Sequence, residues 1–292
     1  MTRYADDVAG TPRVMTARLT TFTNDGLTFD VIDEGPLDGE PIVLLHGWPQ
    51  TATEWERVTP LLHERGYRTI APTQRGYSRG ARPRWRWEYR MSKLVGDTVA
   101  LVEAIGAGPV HLVGHDWGST VAWATAARHP AKVRSLTSVS VPHPMAFMRS
   151  MLSSTQVFRS WYMLAFQVPW IPELVLRQRK QLSRGLARTG MDDKQIAHVL
   201  DEVIDSGALK YSVHWYRAMF IANPLAVRGE VSVPTTHVRG TRDRFIARQG
   251  ADLTSRYVTG PYQLEVLDAS HWIPEERPAD LAAIIVARID GS

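Results

Sequence analysis

A chain of 292 residues, 44% apolar and 22% charged, has room for one large α/β domain or a domain with an insertion, and lacks the bias of a disordered or fibrous chain. Without cysteine it can hold neither a disulfide nor a thiolate metal site. Its net charge of +4 is mild for this size, and no apolar run reaches the roughly 18 residues of a membrane span.

The first segment, Met1 to Arg18, carries Arg3, Asp6, Asp7 and Arg13 and has no apolar centre. It reads as a disordered or wrapping arm and not as a secretory leader, so a cytoplasmic location is expected. The runs RLTTFTN (18–24) and LTFDVID (27–33) flank Asn24-Asp25-Gly26, a strong hairpin turn. PIVLL (41–45) reads as a buried strand, and so does Tyr67 to Ala71. Arg79 to Arg90, RGARPRWRWEYR, interleaves Arg with Trp and Tyr, a pattern that can mark a nucleic-acid stripe. The cluster is isolated and the net charge small. It reads better as a solvated loop with locally packed aromatics, and no nucleic-acid partner is expected.

Met91, Leu94, Val95, Val99, Val102 and Ile105 recur at helical spacing, and Gly106 closes that helix. VHLV (110–113) is a strand that runs into Gly114-His115-Asp116-Trp117-Gly118-Ser119, and Ser119 to Arg128 is helical in composition. Leu136 to Val141 is another strand. From Pro142 to about Val227 the pattern is helical and rich in aromatics, among them Trp161, Tyr162, Phe166, Trp215 and Tyr216. Strands return at Thr235–Arg239 and Tyr262–Leu267, and an amphipathic helix closes the chain over about Ala279–Ile289. Strands alternating with helices imply a mostly parallel sheet with right-handed crossovers. The expected organisation is an α/β core, 1–141 with 228–292, interrupted by a helical cap at 142–227. Ten Trp point to an aromatic-lined apolar pocket or to a large core.

The frame of Gly114 to Gly118 is that of a nucleophile elbow, with Asp116 where an acyl-transfer enzyme carries Ser. Two residues without Cβ let strand and helix approach while the central residue holds a strained backbone. Asp116 would then stand above the C-terminal edge of the sheet, at the positive end of the following helix. A carboxylate is ionised at neutral pH, with an ordinary pKa of about 3.9, so it needs no base for its own attack. It suits displacement at an sp3 carbon, which leaves an alkyl ester. Water must then cleave the ester, and that step needs a base and an oxyanion hole. His271, after the last strand, stands where the base is expected, with Asp243 to orient it. The backbone N–H groups of Trp48 and Trp117 would form the hole. His46 reads as a structural histidine of the loop.

These motifs together resemble the soluble-type α/β-hydrolase epoxide hydrolases over about residues 18–290: H-G-x-P as His46-Gly47-Trp48-Pro49 and the Asp elbow at 114–118. The resemblance implies a cis peptide before Pro49. WYMLAFQVPWIPE (161–173) and HWYRAM (214–219) resemble the two cap motifs that supply tyrosines, which assigns Tyr162 and Tyr216 to gripping and protonating the epoxide oxygen. It also implies a small-molecule epoxide substrate, no cofactor or metal, no membrane span, and a monomer or homodimer. The chain departs from the family at Thr73 and Gln74, where an acid is common, and at Ser270, where Gly is frequent. Two other readings stand beside this one. A haloalkane dehalogenase would use the same Asp116–His271–Asp243 attack, with the Trp117 indole as a halide donor. Such enzymes commonly place Asn where this chain has Trp48, and a departing halide gives paired tyrosines no role. A non-catalytic receptor of the same fold would need no complete triad.

Overall fold

The computed structural model describes residues 17–221 and 228–292. The first strands, β1 (Thr21–Asn24) and β2 (Leu27–Glu34), form the expected hairpin, with Asp25 and Gly26 at positive φ (51° and 73°) in its turn. They are followed by β3 (Pro41–Leu45), β4 (Arg68–Pro72), β5 (Val110–His115), β6 (Val133–Val139), β7 (Thr235–Gly240) and β8 (Tyr262–Leu267). The spatial order is β1-β2-β4-β3-β5-β6-β7-β8, antiparallel at β1, β2 and β4 and parallel from β4 across to β8. This is the mostly parallel α/β sheet that the alternation of strands and helices predicts.

Side-chain alternation fixes how the layers stack. Within the fully buried β3, Val43 and Leu45 join one apolar cluster with Leu94, Leu101 and Val121 from the helices Met91–Ile105 and Trp117–Arg128. Ile42 and Leu44 point the other way and pack with Leu281 and Ile285 of the C-terminal helix Pro278–Asp290. Helices therefore cover both faces of the central strands. Gly106, at φ 67°, caps Met91–Ile105 as the sequence predicts.

Several boundaries differ from the sequence reading by one to three residues. The elbow helix runs Trp117–Arg128, two residues longer than the stretch of helical composition from Ser119, with Asp116 as its N-cap. The sixth strand is Val133–Val139 and not Leu136–Val141: Ser140 takes φ 67°, which no strand continues through. Trp85 and Trp87 stack on each other (centroids 5.0 Å, planes 8° apart) with the Arg84 guanidinium over Trp85, which is local packing in a solvated loop.

Between β6 and β7 the described residues form helices and no strand, from Pro144–Ser153 to His214–Met219. This insertion leaves the sheet at the C-terminal end of β6, the edge toward which Asp116 points. The expected insertion end near Val227 and the arm before residue 17 lie outside the described residues. No described helix is long and apolar enough to cross a membrane.

Candidate active site

The turn between β5 and the helix Trp117–Arg128 is strained. Asp116 has φ 48° and ψ −117°, a conformation that costs of order 1–3 kcal/mol in an L-residue. The surrounding contacts leave it no alternative. A Cβ on Gly118 would lie 2.1 Å from the carbonyl oxygen of Leu45, and one on Gly114 would lie 2.4 Å from that of Gly118. Strand and helix approach too closely for any other residue at either position. Asp116 is left buried, at 9% exposure, at the helix N-terminus.

Three loops at the sheet edge bring partners to it. Trp48, after β3, donates its backbone N–H to Asp116 Oδ1 at 2.9 Å, and the Trp48–Pro49 peptide is cis. His271, after β8, places Nε2 3.2 Å from Asp116 Oδ2. His271 Nδ1 lies 2.7 Å from Asp243 Oδ2, after β7. The other oxygen of Asp243 accepts the backbone N–H groups of Phe245 (2.7 Å) and Ile246 (2.9 Å), which holds the carboxylate in place beside the ring. Trp117 opens the helix, so its N–H belongs to the first turn, which has no partner within the helix. Burial pushes the His271 imidazolium down. The charge of Asp243 and the hydrogen bond to Asp116 more than reverse this and raise its pKa to about 10. Burial raises the carboxyl of Asp116, but the hydrogen bond and charge of His271 hold it below the usual carboxylate range. In the resting site the pair is therefore carboxylate and imidazolium.

Tyr162, in the helix Trp161–Ala165, and Tyr216, in His214–Met219, meet above this group with ring centroids 5.9 Å apart. Tyr216 packs edge-on against both Trp48 (5.5 Å) and Trp117 (5.1 Å). Burial, followed by the charge of Asp116, drives the Tyr162 phenol far above its ordinary pKa. Burial, followed by the charges of Tyr162 and Asp116, does the same to Tyr216. Both phenols keep their protons at any working pH. Asp116, Tyr162 and Tyr216 line two cavities, of about 250 and about 710 Å³. The smaller is walled by side chains such as Leu94, Trp117, Val141 and Met163, the larger by Phe166, Leu182, Phe245 and Trp272. All seven residues singled out in the sequence thus converge on one place.

His46 is a structural residue, as expected. Gln74 donates its backbone N–H to His46 Nε2 at 3.0 Å and its side-chain amide to the His46 carbonyl at 2.6 Å, and burial depresses the ring's pKa. Gln74, noted as a departure from the family pattern, therefore braces the loop that presents Trp48.

A second buried cluster was not foreseen. His115, fully buried beside Asp116, lies 2.7 Å from Glu54 Oε1 through Nδ1 and donates Nε2–H to the His271 carbonyl at 2.9 Å. Both ring nitrogens face acceptors, an arrangement that favours the imidazolium. Burial alone would depress it, and the charge of Glu54 outweighs that and raises its pKa. Ser140, at its positive φ, donates to the same carbonyl at 2.8 Å, so the backbone of His271 is held from two sides. Glu54 also accepts the Gly47 N–H at 2.8 Å, and Glu275, buried nearby, accepts from the side chain of Gln50. Burial, followed by the charge of Glu54, raises Glu275 to about 7. The only sequence signal was His115 inside the elbow, since two carboxylates distant along the chain meet only in the fold.

Glu275 makes stability depend on pH. Its folded pKa lies above the unfolded value, so its contribution is full at low pH and is lost as pH rises from about 4.5 through about 7. We expect Glu275→Gln to flatten this decline, so that the Tm advantage of the variant over the parent grows by several degrees between pH 5 and pH 8. Thermal melts across that range check it, and parallel curves would contradict it.

Residues 40–186 match the model of the alpha/beta hydrolase fold family. AB hydrolase superfamily protein YfhM of Bacillus subtilis is 33% identical over 270 residues, covering 90% of this chain and 94% of the relative. Epoxide hydrolase 3 of Xenopus tropicalis is 32% identical over 275 residues, covering 90% and 74%. Among solved structures, epoxide hydrolase A from Mycobacterium thermoresistibile superposes with a TM-score of 0.78 at 24% identity, covering 93% of this chain and 97% of the other. The epoxide hydrolase of Bacillus megaterium, crystallised with an inhibitor, superposes at 0.81 and 23% identity, covering 92% and 99%. The chain belongs to the α/β-hydrolase family and, within it, to the epoxide hydrolases.

Proposed function

We propose that the chain converts an apolar or aromatic epoxide and water into a vicinal diol through an alkyl ester on Asp116. The observation that carries this reading is one carboxylate, held by Trp48 N–H on one oxygen and by His271 on the other, facing two protonated phenols across an apolar cavity. Tyr162 and Tyr216 hydrogen-bond the oxirane oxygen. Asp116 Oδ2 attacks a ring carbon, the C–O bond breaks, and the oxygen takes a proton from a phenol. Oδ1 stays at the Trp48 N–H. Water then adds to the Asp116 carbonyl, with the oxyanion held by the N–H groups of Trp48 and Trp117. On collapse the departing diol oxygen takes the proton that His271 drew from water, and the proton left on the Asp116 carboxyl passes to His271, which restores carboxylate and imidazolium.

The charge balance times the base. His271 has its raised pKa partly because Asp116 is an anion. Esterification removes that anion, so the imidazolium loses an attraction and more readily gives up its proton. The proton balances the opening step by restoring the phenol, and neutral His271, oriented by Asp243, then accepts one from water. The helical insertion 142–227 acts as a cap on the 1–141 and 228–292 core and supplies both tyrosines. A halide leaves without a proton, so the two phenols favour an epoxide over a haloalkane. Two apolar cavities meeting at Asp116 suit an epoxide with an apolar group on either side.

The test is a single turnover with enzyme in excess in oxygen-labelled water. The first diol should carry unlabelled oxygen from Asp116, and label should enter only on later turnovers. A first diol fully labelled from solvent would overturn the covalent route.

A further inference from the structure

Of the nineteen large apolar side chains that are exposed among the described residues, fourteen lie on the insertion, at 148–175 and 219–221. Leu152 is 91% exposed, Trp170 83%, Phe158 78% and Leu174 66%. Six of the fourteen (Met148, Trp161, Ile171, Val175, Met219 and Phe220) also line the two cavities, and the others, Trp170 and Leu174 among them, face solvent; exposed apolar surface on this scale points to an interaction site. Trp170 also sits at φ 62°, a left-handed conformation unfavourable for a bulky residue, with its indole in solvent. The turn is closed by hydrogen bonds from Ile171 N–H to the Pro169 carbonyl (2.8 Å) and from Leu174 N–H to the Trp170 carbonyl (3.0 Å), which hold the indole outward.

Charge narrows the kind of partner. Residues 142–191 contain seven Lys and Arg and one acid, Glu173. Glu173 is taken up by a two-pronged pair with Arg217 at 2.6 and 3.0 Å. The stretch is thus more cationic than the whole chain at +4. The helix Arg179–Arg188 buries Leu182 and Leu186; Arg179 is paired with Asp205 at 2.5 Å, while Lys180, Arg184 and Arg188 turn outward, with Arg177 exposed just before them. A second copy seated face to face by two-fold symmetry would set this cationic surface against itself. Exposed Trp and Leu beside Lys and Arg is instead the pattern of a protein lying in the headgroup region of an anionic bilayer.

We propose that the insertion docks on anionic lipid membranes, with Trp170, Leu174 and neighbouring apolar side chains entering the interface and Arg177, Lys180 and Arg184 facing the headgroups. Trp161, Ile171 and Val175, exposed in the same patch, also line the larger cavity that reaches Asp116. A lipophilic epoxide dissolved in the bilayer therefore has a short apolar route to the site. That corollary rests on the proposed reaction. The docking itself does not, and it is measured without substrate.

The experiment is co-sedimentation of the full chain with vesicles of phosphatidylcholine, with and without phosphatidylglycerol. Binding should require phosphatidylglycerol and fall with added salt. Each cation near such a surface contributes about fivefold, so Arg177→Gln/Lys180→Gln/Arg184→Gln should lower partitioning by about a hundredfold. Trp170→Asn/Leu174→Ser should lower it by about tenfold or more without unfolding, because Asn tolerates the left-handed backbone. Both variants should keep the parent's turnover of an epoxide dissolved in buffer. No binding to anionic vesicles, or binding that both variants retain, would overturn the proposal. A dimer seen by sedimentation equilibrium and dissolved by Trp170→Asn/Leu174→Ser would assign the patch to a second copy and overturn it equally.

Discussion

His271→Gln should take up one equivalent of epoxide and stop, and intact-protein mass spectrometry should show the protein heavier by the mass of the substrate. Ring opening needs an ionised Asp116; burial works against the anion, and with His271 replaced the charge of His115 and the Trp48 N–H still favour it. Hydrolysis of the ester needs a proton acceptor 3.2 Å from Asp116, and Gln offers none in the useful pH range. General-base catalysis is worth about 10²–10⁴-fold, so steady-state turnover should fall by that amount while the first chemical step survives. Asp116→Asn supplies the control, losing both the adduct and turnover. If His271→Gln turns over at the parental rate, or is inactive without becoming alkylated, the division of labour between the two residues is wrong. Asp243→Asn should fall between these extremes, because the ring keeps a hydrogen-bonding neighbour but its cation loses the buried charge at 2.7 Å.

Much of this site was legible before folding because its signals are local. A strand-forming run ahead of G-x-D-x-G, a Gly-Trp-Pro loop after a buried strand and a histidine after the last strand each need only short-range pattern. The topology then carries them to one edge of the sheet. The cap tyrosines were legible only through family resemblance, since neither Tyr162 nor Tyr216 differs by composition from a core aromatic. What escaped depends on contacts between distant segments. Glu54, His115 and Glu275 form a buried ionisable cluster behind the base, and no spacing rule links them. Ser140 looks like the continuation of a strand, yet its positive φ ends the strand and aims its hydroxyl at the His271 carbonyl. Gln74 stood out as a missing acid, and its two hydrogen bonds to His46 appear only once β3 and β4 lie side by side. Exposure of the apolar insertion surface was equally invisible, because an amphipathic aromatic pattern does not say which face lacks a partner.

Replacing both tyrosines by Phe should abolish ring opening and leave the fold in place. The rings pack on one another and on Phe166 (5.7 Å from Tyr162, 4.9 Å from Tyr216), and Phe preserves those contacts while removing only the two hydroxyls. Without them the departing oxygen must leave as an alkoxide inside an apolar cavity, with neither a proton nor a hydrogen bond. Removing one donor from a preorganised site typically costs about 10²–10³ in rate. Each single variant should therefore lose roughly that much. The double variant should lose at least as much as the worse single, and less than the product if either phenol partly substitutes for the other. Single-turnover mixing followed by tryptophan fluorescence reads the step directly, because Trp48 and Trp117 both flank Tyr216. The water step should be spared, since its oxyanion is held by backbone N–H groups and its base is His271. Introducing Tyr162→Phe/Tyr216→Phe on top of His271→Gln should accordingly prevent the ester from forming at all. An adduct at the parental rate in that triple variant would remove the phenols from the chemistry and reduce them to packing.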